Sequence, residues 1–334
     1  MLRFAVRRLV FLVFVILGIS VFMFTIMYLL PVDPARAVAG RLAGPEQIEA
    51  VRVRLGLDKP AYIQYLTYMG NLLRGDLGTS TVTRKPVMDH LKIYLPASAE
   101  LVLAALWLTI LISFPLGILS ALRPGRSADA VSRLFAAVGV GMPVFWVGLM
   151  SQLLLYGVLD ILPFGGRLSL GVAPPPHVTG FYTIDSLLAG DLVLFKDALV
   201  HLLLPCTILA LAEIAVISRL TRSSMMEVLG QDYVRTARAK GLRERQVVWI
   251  HALKNAILVP LTMLGMQIGW LLGGTLLVES VFSWPGLGYF VFTGIYKHDF
   301  PVVMAFTLVI SIVFVLSNLV VDLLYGVLDP RITY

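Results

Sequence analysis

Five uncharged, mostly apolar runs, each more than 20 residues long, decide what this chain can fold into: Leu9–Leu30, Leu101–Leu122, Leu134–Leu159, Ala256–Val278 and Pro301–Val321. About 30 Å of hydrocarbon divided by a rise of about 1.5 Å per residue asks for roughly 20 apolar residues in a spanning helix. A sixth, weaker run, Leu202–Ser218, carries one acid, Glu213. With 58% hydrophobic and only 14% charged residues in 334, the chain has too little polar surface to cover itself in water. The expectation is an all-α polytopic membrane protein of six transmembrane helices.

The first run follows Arg3, Arg7 and Arg8 and ends in Leu29-Leu30-Pro31, without a small-residue cleavage site. Its length exceeds the apolar core of a signal peptide, so it reads as a retained anchor. Lys and Arg in short loops set orientation. With a cytoplasmic N-terminus, the inner segments hold 15 of them and the short outer loops 3, namely Arg167, Lys196 and Lys297. Both termini then lie inside. The net charge of +7 is accounted for by the inner loops, where it favours anionic lipid. There is no basic arm and no zinc-ligand pattern, so a nucleic-acid partner is not expected.

Residues 1–30 thus form a short cytoplasmic end and the first helix, 31–99 a long outer segment, and 100–334 a five-helix core. The core includes an outer loop at 160–200 with Pro174-Pro175-Pro176 and a charged cytoplasmic loop at 219–255. The outer segment contains the amphipathic stretches Glu46–Leu57 and Tyr62–Leu73. Cys206 is the only cysteine, which excludes an intrachain disulfide and a thiolate cluster. His90, His177, His201, His251 and His298 show no i, i+4 pairing, so no metal site is expected. Ser113, Ser151 and Ser311 lie in the runs, but no histidine lies deep in a neighbouring run to activate them. That argues against an intramembrane hydrolase. A secondary transporter would place several charges at mid-membrane, and only Glu213 is clearly there.

Two further places draw attention. Glu213 should face the protein interior or a watery path, because an acid in mid-span costs roughly 2.5–3.5 kcal/mol on insertion scales. It is a candidate for the transport pathway or for a structural hydrogen bond. Trp284-Pro285-Gly286 precedes the last run. It reads as an interfacial tryptophan with a turn, or as a short helix that dips back and shapes an outer gate.

In the cytoplasmic loop, Val234, Ala237 and Gly241 fall at i, i+3 and i+7 on one helical face, among Arg235, Arg238, Lys240, Arg243 and Arg245. A glycine there costs about 1 kcal/mol against alanine, so a bend or the approach of another surface should compensate. The strip resembles the EAA loop of ABC-importer permeases, with Ala237 and Gly241 matching and Arg235 and Thr236 replacing the first two signature residues. Tyr233–Leu242 and His251–Ala256 are similar to the variant in dipeptide, oligopeptide and nickel permeases. Leu29–Pro34, Gly75–Ser80, Leu220–Met225 and Glu279–Gly288 resemble further segments of that family, in the same order.

The resemblance implies an ABC type I importer-like fold and a B-type transmembrane subunit. Such a subunit supplies half of a translocation pathway for peptides in a bacterial-type plasma membrane. It implies a homologous C-type permease subunit, two ATPase subunits and an external solute-binding protein as partners. It further implies a coupling helix that docks on an ATPase through Arg235, Thr236, Ala237, Arg238, Gly241 and Leu242. The sequence holds no Gly-x-x-x-x-Gly-Lys-Ser/Thr loop, so ATP and magnesium belong on the ATPases and this chain is a transport subunit without catalytic residues or cofactor.

Overall fold

The computed structural model describes residues 2–29, 33–40, 43–125, 127, 129–131, 134, 139 and 141–328. A first long helix, α1 (Leu2–Leu29), is followed by three short ones, α2 (Pro34–Ala39), α3 (Pro45–Arg54) and α4 (Ala61–Leu73). Next come α5 (Val87–Leu122) and α6 (Val144–Gln152), the latter running on as a π-helical turn through Leu153–Val158. α7 (Tyr182–Leu188) and the long α8 (Leu192–Leu229) lead to the short α9 (Asp232–Ala239). Residues Glu244–Ala256 form an irregular helical segment with a π-helical turn at Val247–Ala252. α10 (Leu258–Val281), α11 (Leu287–Tyr296) and α12 (Phe300–Leu328) complete the chain. Among the described residues the only extended pairing is one isolated bridge, Thr79 to Pro86.

Among the described residues, four helices are long and apolar enough to cross a membrane: Val10–Leu29, Val87–Leu122, Leu192–Leu229 and Phe300–Leu319. A fifth follows if Glu244–Ala256 and Leu258–Gln267, bent by 49°, act as one span. The expected third span is represented by the shorter apolar helix Val144–Val158. The upstream half of that run, 134–143, contains residues outside the described ones.

Two helices begin earlier than the charge-free runs suggest. α5 starts at Val87, not near residue 100, because Val87, His90, Leu91, Ala97 and Leu101 are buried along one continuous helical face. The charged Asp89 and Lys92 point outward, so they do not interrupt it. α8 likewise starts at Leu192, where Asp191 caps it by accepting from the Leu194 backbone N–H (2.9 Å). The weak run Leu202–Ser218 is therefore the middle of a 38-residue helix.

α5 and α8 run parallel and pack along most of their length. Pro96 on α5 lies beside Gly180, just ahead of α7, and Gly117 lies against Thr221 and Ser218 at the other end. A Cβ on Gly117 would meet the Thr221 Cβ at 2.6 Å and the Ser218 carbonyl at 2.7 Å. Only glycine admits the two helices that close, as is usual where membrane helices pack. α10 packs on α8 and α12, and α1 lies on α12. The main core gathers Leu101, Val102, Ile208, Ile214, Ile217, Phe282 and Trp284 from α5, α8 and the end of α10. The stretch before α5 is pinned to the bundle by Asp299, which accepts from the Ser80 hydroxyl and from the Thr81 backbone N–H (3.0 Å).

Candidate coupling and gate sites at the two ends of the bundle

At the end that carries Gly241, α8 stops at Leu229 and the chain turns into α9. Val234 and Ala237 point inward and pack on Val247, with Val228 and Leu229 beside them. Ala237 is thus part of the seat, and its small side chain lets α9 sit close. Arg235, Thr236, Arg238, Gly241 and Leu242 are exposed. Of the six residues expected to dock, five therefore face outward and one faces the chain's own core. A second small cluster, Ile118, Ala121, Met225, Val248, Ala252 and Ala256, holds Glu244–Ala256 to the ends of α5 and α8.

Gly241 closes α9. Its φ is +78° and its N–H donates to the Arg238 carbonyl (2.9 Å), the left-handed stop that favours glycine. A Cβ there would meet nothing within 4 Å, so the glycine is required by the turn and not by crowding. Beyond the turn, Arg238 donates to both oxygens of Glu244 (2.7 and 3.2 Å). That hydrogen bonding holds the Glu244 carboxyl below its ordinary range. Asn255 donates to the Tyr233 hydroxyl (2.8 Å), tying α9 to the segment that leads into α10. The result is a short helix, fixed on its inner face and at both ends, that presents a cationic outer face.

Glu213 sits in the middle of α8 and is half-buried. Its Oε2 is buried with no hydrogen-bond partner. The helix alone does not satisfy it.

At the opposite end, Trp284 is 1% exposed and donates its indole N–H to the Ala97 carbonyl (2.9 Å). The interfacial-anchor reading is therefore overturned: the ring is in the core, because the tight turn at 283–286 folds it back over α5. Gly286 is buried too, and Pro285 half-buried. Ser98 on α5 donates to Glu279 (2.5 Å) and accepts from the Leu287 backbone N–H (2.7 Å), while Glu279 accepts from the Tyr289 backbone N–H (2.8 Å). A carboxyl and a hydroxyl thus hold the first turn of α11 against α5.

Next to Trp284 lies a buried ion pair. Arg167 donates to Glu100 (2.5 Å), and both side chains are 4% exposed. The same guanidinium nitrogen donates to the Gly180 carbonyl (2.8 Å), and the guanidinium stacks over the Tyr182 ring at 3.5 Å from its centroid. The other oxygen of Glu100 accepts from the backbone N–H (2.9 Å) and hydroxyl (2.6 Å) of Thr183. Asp185, at the start of α7, accepts from the backbone of Val178, Thr179 and Gly180 and from the Thr179 hydroxyl. Burial opposes ionisation of Asp185, but these hydrogen bonds outweigh it and hold its carboxyl below the ordinary range. The loop at 160–200 is consequently an ordered clasp between α5 and α8, stapled by charge.

Sequence reasoning missed Glu100, Arg167 and Glu279. A signal existed: both acids border charge-free runs, and Arg167 is the sole Lys or Arg between residues 134 and 195. Among the described residues no group of three His, Cys, Asp or Glu could hold a metal.

Residues 113–334 match the family described as binding-protein-dependent transport system inner membrane component, and residues 1–102 match its N-terminal family. The chain is 49% identical to a probable D,D-dipeptide transport system permease protein of Escherichia coli, over 96% of this chain and 94% of that one. It is 43% identical to a dipeptide transport system permease protein of Alkalihalophilus pseudofirmus over the whole of both chains. A dipeptide transport system permease protein of Escherichia coli is 40% identical, over 100% of this chain and 99% of the other. The helical bundle and these matches along its whole length agree, and the chain belongs to the family of binding-protein-dependent transport inner membrane components, the permease subunits of ABC importers.

Proposed function

We propose that the chain is one of two homologous transmembrane subunits of an importer that brings di- or oligopeptides into the cytoplasm. An external binding protein delivers the peptide, and two separate ATPases, carrying ATP and magnesium, drive the cycle. Both termini and α9 face the cytoplasm, as the 15-to-3 distribution of Lys and Arg favours. The peptide cargo is supported by the relatives, which are dipeptide and D,D-dipeptide transport system permease proteins.

The observation that carries the reading is α9: a short helix locked to the bundle by Val234 and Ala237, with Arg235, Thr236, Arg238, Gly241 and Leu242 outward. A knob held this way transmits a push from an ATPase into α8 and α10 as a rigid body. Arg235 and Arg238 favour an acidic rim on the ATPase groove. At the other end, Trp284, Pro285 and Gly286 form the outer gate, because the turn that holds them ties α10 and α11 to α5.

Affinity purification of the tagged chain from gently solubilised membranes tests this. The wild-type chain should bring a second, similar permease subunit and P-loop ATPases. Gly241→Glu should lose the ATPases and keep the permease partner, since it strains the turn and adds a negative charge to a cationic face while the α9 seat stays intact. Recovery of the ATPases with both chains alike would refute the docking surface.

A further inference from the structure

We infer that Glu213 is the contact in the translocation pathway for the α-ammonium group of the passing peptide; this rests on the peptide-import reading above. The carboxylate sits in mid-span on α8, and its Oε2 is buried with no hydrogen-bond partner. A buried acceptor of this kind costs free energy unless a donor reaches it. No described cation on α8 or α5 is placed to do so. On α5, His90 and Lys92 lie near the start of the helix, and on α8, Lys196 and His201 lie three turns or more before Glu213. Arg219 is nearest in sequence, but six residues along an α-helix turn it to a different face and put it about 9 Å further on.

The surroundings separate this site from a lipid-facing one. Leu209, Ala210, Ile214 and Ile217, which flank Glu213 on its helix, are all buried. The exposed large apolar side chains of α8 lie on its earlier turns, as Leu199 and Leu203 do, or near its far end at Met226. Two residues away from Glu213, Gly139 approaches the α8 backbone so closely that a Cβ would lie 2.6 Å from the Leu211 carbonyl. Glu213 therefore emerges among packed helices, half-exposed, with an acceptor to spare. Every unblocked peptide carries one α-ammonium group whatever its side chains, so a single carboxylate serves cargo of varied sequence. An ammonium ion supplies the charge-assisted donors the site lacks.

The test uses the complete complex, with its partner permease, ATPases and binding protein, in proteoliposomes taking up radiolabelled dialanine. Glu213→Gln keeps size and hydrogen-bonding capacity and removes the charge, whereas Glu213→Asp keeps the charge. The Gln variant should lose about tenfold or more in uptake, the loss expected when a charge-assisted hydrogen bond is removed. The Asp variant should recover a large part, with assembly and basal ATP hydrolysis unchanged in both. Wild-type uptake by Glu213→Gln, or a Glu213→Asp variant as impaired as Glu213→Gln, would overturn the assignment. A wild-type complex that moves no dialanine would instead refute the peptide-import reading, so the two failures are told apart.

Discussion

Replacing Gly286 with alanine should damage the end of the bundle that carries Arg167, for steric reasons alone. The backbone there is extended, with φ −110° and ψ −179°, a conformation open to any residue. The obstacle is space: a Cβ would overlap the Glu279 carboxyl and lie 2.5 Å from the Ser98 hydroxyl. These are the groups that hold the first turn of α11. Overpacking a tight site costs about 1–3 kcal/mol. If the carboxyl swings away instead, each lost buried hydrogen bond costs about 1–3 kcal/mol. Either route gives about 3 kcal/mol, which lowers Tm by roughly 4 °C for a chain of this length. The assay is thermal unfolding of the purified chain in detergent for Gly286→Ala, Glu279→Ala and the double variant. With the carboxyl gone, the added methyl has room, so the double variant should be more stable than the sum of the single costs by about 2 kcal/mol. Additive costs, or a Gly286→Ala protein as stable as wild type, would refute the steric argument.

Three further expectations follow from the same structure. Arg167→Met leaves Glu100 buried without its cation and should cost about 3–5 kcal/mol, while the added change Glu100→Gln should recover much of it; thermal unfolding of the three proteins checks this. Gly241→Ala adds no clash but places an L side chain at φ +78°, at a cost of roughly 1–2 kcal/mol. It should weaken ATPase co-purification far less than Gly241→Glu. Because the Asp185 carboxyl is held below its ordinary value of 3.8, the folded chain binds its proton less tightly than the unfolded chain. Its contribution is present above about pH 4 and is lost as pH falls through the lowered value, so Asp185→Asn should flatten the acid limb of the stability–pH curve.

Much of this architecture is legible in the sequence because the bilayer enforces it. Runs such as Leu101–Leu122 must be helical, since hydrocarbon offers no partner to a backbone N–H or C=O. The ends of helices were harder to read. Asp89 and Lys92 hide the early start of α5, and only the 3.6-residue spacing of Val87, His90, Leu91 and Ala97 reveals it. Ala237 and Gly241 were recognisable as a pair, but not that one faces inward while the other makes a left-handed turn. Trp284 was misplaced, because interfacial and buried tryptophans look alike until the turn that carries them is known. Glu100 and Arg167 were missed as a pair, since they lie 67 residues apart and their meeting depends on how residues 160–183 fold back.

ATP-dependent uptake of a labelled dipeptide by proteoliposomes tests the account most directly. The vesicles would hold this chain with its partner permease and ATPases, and binding protein would be added outside. The account predicts uptake that needs ATP and every subunit, and that collapses when Arg235 and Arg238 are both changed to glutamate. Uptake by this chain alone, or uptake indifferent to ATP and to the charge of α9, would contradict it.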